Sequence, residues 1–302
     1  MVVKFVCRLL LASLISGIAI GCSQQVPKTA TELQEEIEAE LNLLKGDFAV
    51  AFKTLDDSVE TVLINEREMF HAASTMKTPV MIELFKQAET GLFSLNDSIE
   101  VRNEFRSIVD SSRYQMDISE DSEGQLYKQI GQKRTIRQLI NDMITMSSNL
   151  ATNILIEKVG AQNVTQTMRS YRADSIKVLR GVEDIKAYER GLSNRTTALD
   201  ESIIYERLGR GQAVNKEDSE EMIKILKRQK FNDMIPAHLP KNVEVAHKTG
   251  WITGVHHDSG LIILPDGRKY VLVLLSKNAP NREKVISTFA DISNLIYKFV
   301  TQ

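Results

Sequence analysis

From residue 32 onward the hydrophobic positions change period several times, and each period predicts an element. Leu33, Ile37, Leu41 and Leu44 recur at helical spacing and predict an amphipathic helix. Phe48, Val50 and Phe52 then alternate. Residues 61–64 follow the turn-like Asp56-Asp57-Ser58, so two paired strands are predicted. Residues 74–85 are helical in pattern, whereas 96–131 are polar with little periodicity. Thr135 opens a helix through a Thr-x-x-Gln capping box to Gln138, with Ile136, Leu139, Ile140 and Met143 as its buried face. A further helix covers 149–159 and stops at Gly160. Helical signals continue over 197–208 and 216–227 until Pro236 and Pro240 break the pattern. Strands are predicted at 243–248, 259–264 and 270–275, the last two flanking the tight-turn signal Pro265-Asp266-Gly267. A closing helix places Phe289, Ile292, Ile296 and Phe299 on one face.

Strands thus lie at both ends of this stretch and helices fill its middle. The economical fold class is α+β: one antiparallel sheet flanked by the terminal helices, with an inserted all-helical domain. Residues 32–72 and 228–302 are assigned to the sheet-plus-helix domain, and 73–227 to the helical domain. An active site is expected at their junction, where pockets commonly form.

The first residues follow another pattern. Lys4 and Arg8 supply positive charge, and 9–20 are apolar or small throughout. That run falls short of the roughly 20 residues of a membrane-spanning helix and suits the core of a signal peptide. It ends Ala19-Ile20-Gly21-Cys22, which resembles a bacterial lipobox. The resemblance implies a lipoprotein signal peptide over 1–22, a lipid on Cys22 and a tether over 23–31. The protein would then be exported and anchored to a bacterial membrane, facing the periplasm or the exterior. A plain signal peptide with a nearby cleavage site is the alternative.

The two cysteines, Cys7 and Cys22, both lie in this segment. The remaining chain has no thiol for a disulfide, a metal site or a Cys nucleophile. The five histidines form no His-x-x-x-His or His-x-His pair, and His256-His257 are merely adjacent. No metal and no cofactor are expected. A net charge of −2 gives no basic excess for nucleic acid. The apolar share of 42% and charged share of 26% are those of an ordinary globular protein, and a monomer is expected.

Three short motifs carry the candidate chemistry. In Ser74-Thr75-Met76-Lys77, a helix starting at Ser74 puts Lys77 one turn on, over the same face. Its ammonium can then reach the hydroxyl, which is a poor nucleophile until a neighbour takes its proton. Ser147-Ser148-Asn149, with Asn153 one turn further, lies between two amphipathic helices and can present a hydroxyl and an amide to a cleft. Lys248-Thr249-Gly250 follows a strand and suits an anionic substrate, which the bare Gly250 lets approach. Each motif alone has an ordinary explanation as a cap, a helix start or a turn.

Together, in this order, they resemble the class A β-lactamases and penicillin-binding proteins. The context Thr145-Met146-Ser147-Ser148-Asn149-Leu150-Ala151-Thr152-Asn153 looks like that family's second motif, and the resemblance extends from about residue 33 to about residue 297. It implies a serine hydrolase in which Ser74 attacks the carbonyl and Lys77 is its base or proton relay. Ser147 would carry the proton to the leaving nitrogen, Asn149 bind the substrate's amide side chain, and Lys248 and Thr249 hold its carboxylate. Gly250 would leave room for the substrate, and the backbone N–H groups of Ser74 and Trp251 would form the oxyanion hole. The implied substrates are β-lactams. Cell-wall peptides are the alternative, and an anchored protein that is acylated and clears slowly is a third possibility.

The chain departs from the family pattern twice. Ser148 stands where class A enzymes usually have Asp. The Glu-x-x-Leu-Asn loop, whose Glu activates the deacylating water, is not clearly present. Glu183 in Arg180-Gly181-Val182-Glu183-Asp184 is preferred for that role over Glu189 by its spacing and its preceding Arg.

The N-terminal reading has a direct test. Metabolic labelling with a fatty-acid analogue is expected to mark the parent chain and not Cys22→Ser; equal labelling of both would remove the anchor.

Overall fold

The computed structural model describes residues 27–302. Cys22 and the expected lipobox lie outside the described residues. Helix α1 (Ala30–Asn42) begins inside the assigned tether, because Thr29 and Glu32 form a reciprocal capping box. Strands β1 (Asp47–Thr54), β2 (Thr61–Ile64) and β3 (Phe70–His71) follow, then a 3₁₀ turn over Ala73–Met76 and helix α2 (Lys77–Glu89). The polar stretch folds as short pieces: β4 (Ser98–Glu100), β5 (Phe105–Arg106) and β6 (Arg113–Tyr114), 3₁₀ turns over Ile118–Glu120 and Leu126–Gln129, and β7 (Lys133–Thr135). Helices α3 (Ile136–Thr145), α4 (Asn149–Val159), α5 (Ala161–Ser170) and α6 (Ile185–Glu189) precede β8 (Arg195–Thr196). Helices α7 (Ala198–Gly209) and α8 (Lys216–Leu226) lead to β9 (Glu244–Ile252), β10 (Val255–Ile263), β11 (Lys269–Lys277) and α9 (Arg282–Val300).

The main sheet is antiparallel, in the order β2-β1-β11-β10-β9, so both ends of the chain build it as expected. The capping box at Thr135 and Gln138 is present, and Gly160, with φ of 80°, ends α4. The structure differs from the sequence reading in its strand lengths and in two helices. Strands β9, β10 and β11 run longer than predicted, and α5 and α6 were not predicted at all. The strands are covered on both faces, so polar residues such as His247, Lys248, Asp258 and Ser259 are buried inside them. A period-two pattern marks only half-covered strands.

The alternation in β1 nevertheless has a purpose. Phe48, Val50 and Phe52 face α1 and α9, and Phe52 meets Tyr270 and Phe299 edge-on at 5.7 and 6.0 Å between ring centroids. Ala49 and Ala51 point to the opposite face, where α7 packs across β1, β10 and β11. Their small side chains allow that close approach. This inner layer is continuous with the core of α2, α3 and α4, so the helices that carry the motifs are seated on the same sheet as β9.

Candidate active site

The turn before α2 is strained where the chemistry is expected. Ala73 has φ of 45°, and its N–H donates to His71 Nδ1 at 3.0 Å. A non-glycine residue in this region costs about 1–3 kcal/mol and is kept only where its surroundings over-determine it. Here His257, buried on β10, donates from Nε2 to the His71 carbonyl at 2.9 Å, tying the turn to the sheet. Ser74 follows, half-buried. Strand β9 runs flush against it at Gly250. A Cβ at that position would sit 3.0 Å from Ser74 N and 3.1 Å from Thr75 N. Any side chain there would push the backbone of the turn back by a few tenths of an ångström. Lys248, Thr249 and Trp251 therefore lie within β9, not beyond its end, because pairing with β10 continues through Ser259↔Lys248 and His256↔Trp251. Trp251 is 64% exposed on the rim, with Arg282 6.0 Å from its ring.

Lys77 is the first residue of α2 and is fully buried. Its Nζ donates to Ser147 O at 2.7 Å, Ser147 Oγ at 3.1 Å and Asn149 Oδ1 at 3.0 Å. Among the described residues no hydrogen bond joins it to the Ser74 hydroxyl, since these acceptors already take all three ammonium protons. Lys248, also fully buried, donates to the same Ser147 Oγ at 3.1 Å and to Thr249 O at 2.8 Å. Burial pushes Lys77 down to about 7, against the pull of the Asp121 and Glu183 charges. Burial, then repulsion from Lys77, holds Lys248 well below the usual lysine range. Ser147 meets both ammonium groups from a strained backbone with φ of 58°.

Glu183 joins the group from the loop after α5. Its Oε1 accepts from Asn149 Nδ2 at 3.2 Å and its Oε2 from the Asp117 N–H at 3.0 Å. Partial burial raises its pKa, those hydrogen bonds lower it, and the nearby Asp121 and Glu120 carboxylates raise it. Its φ of 60° is held by Asn153, which accepts from Val182 N at 2.7 Å and donates to Val182 O at 3.0 Å. A Cβ on Gly181 would overlap the Asn153 amide, so the loop closes over Asn153 only with glycine there. Glu189 ends α6, exposed, and is not brought to the site. Of the residues expected from the sequence, Ser74, Lys77, Ser147, Asn149, Glu183, Lys248, Thr249 and Gly250 meet where the helices join the sheet.

A model described as the beta-lactamase enzyme family matches residues 32–300. The chain belongs to that family. It is 25% identical over 251 residues to Beta-lactamase VEB-1 of Pseudomonas aeruginosa, covering 78% of this chain and 80% of that protein. Extended-spectrum beta-lactamase PER-1 of the same organism is 22% identical, covering 88% and 87%. Among solved structures, PBP-A superposes with a TM-score of 0.78 at 23% identity, over 92% of this chain and 98% of that one. The TLA-1 extended-spectrum beta-lactamase gives 0.78 at 18%, over 91% and 100%. At such identities the structures share the fold.

The family resemblance leads one to expect a carboxylate at Ser148. In this member the carboxylate comes from Asp121, which sequence reading missed. Asp121 accepts from the N–H groups of Asn149 at 3.0 Å and Leu150 at 2.9 Å and from the Tyr127 hydroxyl at 3.1 Å. Ser122 Oγ, beside it, donates to Met146 O at 2.8 Å. Ser148 Oγ caps Ala151 N at 3.2 Å and lies 3.5 Å from Asp121 Oδ2. The first amides of any helix need acceptors, so the α4 sequence signals that another group is required without saying which. Asp121→Ala strands the N–H groups of Glu123, Asn149 and Leu150 and the Tyr127 hydroxyl. It is expected to lower stability by about 1–3 kcal/mol, read from the midpoint of urea unfolding. Adding Ser148→Asp, 3.5 Å from Asp121 in the parent, is expected to recover part of that loss.

Proposed function

We propose that the protein hydrolyses β-lactams through an acyl-enzyme on Ser74. The observation that carries this reading is the convergence of Lys77 and Lys248 on the Ser147 hydroxyl beside the Ser74 turn. Loss of a proton near neutral pH leaves Lys77 with a free electron pair, and swinging away from Asn149 would let it serve as base for Ser74. Ser74 Oγ attacks the lactam carbonyl, whose oxygen gathers charge between the N–H groups of Ser74 and Trp251. Ser147 passes a proton from the lysine pair to the lactam nitrogen as its bond to the carbonyl carbon breaks. Lys248 and Thr249 hold the substrate's carboxylate, and Asn149 its amide. Glu183 then takes a proton from the water that hydrolyses the ester, freeing Ser74. With a lipid on Cys22, as the N-terminal pattern suggests, this activity would lie outside the cytoplasm on a membrane.

One observation favours a slower second half of the cycle. The position four residues after Glu183, where the Glu-x-x-Leu-Asn pattern has Asn, is Ala187, which is fully buried and offers no polar side chain to a water. A penicillin-binding protein that clears its adduct over hours is therefore the second reading, with cell-wall peptides as the natural substrate.

Intact-protein mass spectrometry is expected to show the parent gaining the mass of penicillin and Ser74→Ala gaining none. An adduct on Ser74→Ala would overturn the assignment. Glu183→Gln is expected to leave acylation intact and slow deacylation by about 10²- to 10⁴-fold, so that the adduct accumulates in time-resolved spectra. Glu189→Gln should clear it like the parent. A parent that stays acylated for hours selects the second reading.

A further inference from the structure

A carboxyl that this mechanism does not use lies beneath the turn that carries Ser74. Glu201, in the first turn of α7, is fully buried. Its Oε1 lies 2.8 Å from Thr75 Oγ1 and 2.9 Å from Thr196 Oγ1. Thr75 Oγ1 is also 2.8 Å from the Ala72 carbonyl oxygen. Among the described residues Glu201 Oε2 is buried without a hydrogen-bond partner. One carboxyl thus links α7, β8 and the turn. Thr75 directly follows Ser74, and Ala72 directly precedes the strained Ala73.

The contacts fix a proton count. Three oxygen–oxygen approaches of 2.8, 2.8 and 2.9 Å each require one hydrogen. Thr75 and Thr196 bring one each, and a backbone carbonyl brings none. An ionised Glu201 adds none, which leaves two lone pairs facing each other in one contact. A protonated Glu201 supplies the third hydrogen. The approach of Thr196 Oγ1 to Thr197 O, at 3.4 Å, is too long to claim one. Protonation also accounts for Oε2: an unpartnered carbonyl oxygen in the core costs far less than an unpartnered anion. Burial pushes this carboxyl up to about 7, against the pull of the two threonine hydroxyls.

We propose that Glu201 is a neutral carboxylic acid that acts as a positioning residue for Ser74, bracing the 72–75 turn against β9. The proposal rests on Ser74 being the nucleophile. When Glu201 ionises, two hydrogens remain for three contacts and the buried charge has no partner, so one link opens and the turn loosens. Acylation then falls as pH rises through the titration of Glu201. Other titratable or charged groups stand on its own and adjoining elements: Asp200 and Tyr205 on α7, Arg195 on β8, His71 on β3, Lys77 at the start of α2, Lys248 on β9, and His257 and Asp258 on β10. Lys77 acts in the opposite direction, since losing its proton makes it a base. The parent's pH profile alone therefore cannot isolate Glu201.

Glu201→Gln isolates it, because the amide supplies N–H groups and cannot ionise. Acylation by penicillin is expected to be alike in parent and variant at about pH 5. One pH unit above the Glu201 midpoint the parent is expected to trail the variant by about tenfold. Glu201→Ala, lacking the brace, is expected to acylate slowly at every pH. Stability gives a second reading that is independent of activity. The folded-state pKa of Glu201 is raised above the ordinary value of about 4.3. Its contribution is thus largest in acid and declines as pH rises from about 4 through about 7. The urea midpoint of Glu201→Gln is expected to gain on the parent over that range. Identical pH profiles of acylation, or a midpoint difference that does not change with pH, would overturn the proposal. A parent that is never acylated at Ser74 overturns the functional reading instead, and the stability comparison still decides whether Glu201 is neutral.

Discussion

Two lysine ammonium groups share one serine hydroxyl in the interior of this protein, and most of its unusual local features serve that arrangement. Removing a charge from water costs several kcal/mol unless hydrogen bonds replace the lost solvent. Lys77 finds its replacements in Ser147 and Asn149, and Lys248 in Ser147 and its neighbour's carbonyl. Even so, burial leaves Lys77 near neutrality, the condition in which a lysine can exchange protons. Ser147 accepts from both with a left-handed backbone, which the loop around Asp121 and Ser122 holds in place. Asp121 and Glu183 set the opposing negative field. Strain at Ser147, the carboxylate cap of α4 and the looped-in Glu183 are thus one solution to one electrostatic problem.

That solution requires the sheet and the helices to be held within a few tenths of an ångström of each other. Gly250 shows how narrow the tolerance is, since even a methyl group would touch the backbone of the Ser74 turn. Register comes from both sides of the sheet. The outer aromatic layer of Phe52, Tyr270 and Phe299 fixes β1 and β11, and α7 seats on the alanine face of β1. His257 and Glu201 then reach from sheet and helix to the turn. Interiors packed at crystal density transmit such constraints without slack, so a carboxyl on a distant helix can reach the short 3₁₀ turn that carries Ser74.

Much of this was legible in the order of the residues. Apolar positions at helical spacing located α1, α3, α4, α7, α8 and α9, and a capping box and a terminal glycine marked the ends of two of them. The strands near both termini predicted the sheet that both ends build. Ser74, Lys77, Ser147, Asn149, Lys248 and Gly250 were found because each sits in a short motif, where the spacing along the chain already implies nearness in space. Glu183 was separable from Glu189 only by its spacing and its preceding Arg; the bidentate grip of Asn153 on Val182 is what turns one loop carboxylate inward and leaves the other in solvent.

Asp121 and Glu201 were not legible, for a physical reason. A carboxylate in a polar stretch and another in a helix's first turn are ordinary surface or capping residues by sequence, and no local pattern states what lies opposite them. The chain's periodicity and short motifs determine which segments become helix or strand and which residue types stand one turn apart. The tertiary structure decides which charges leave water together. Desolvation and hydrogen-bond count depend on every group within a few ångströms, and those groups here come from positions as far apart as 77, 121, 147, 183 and 248.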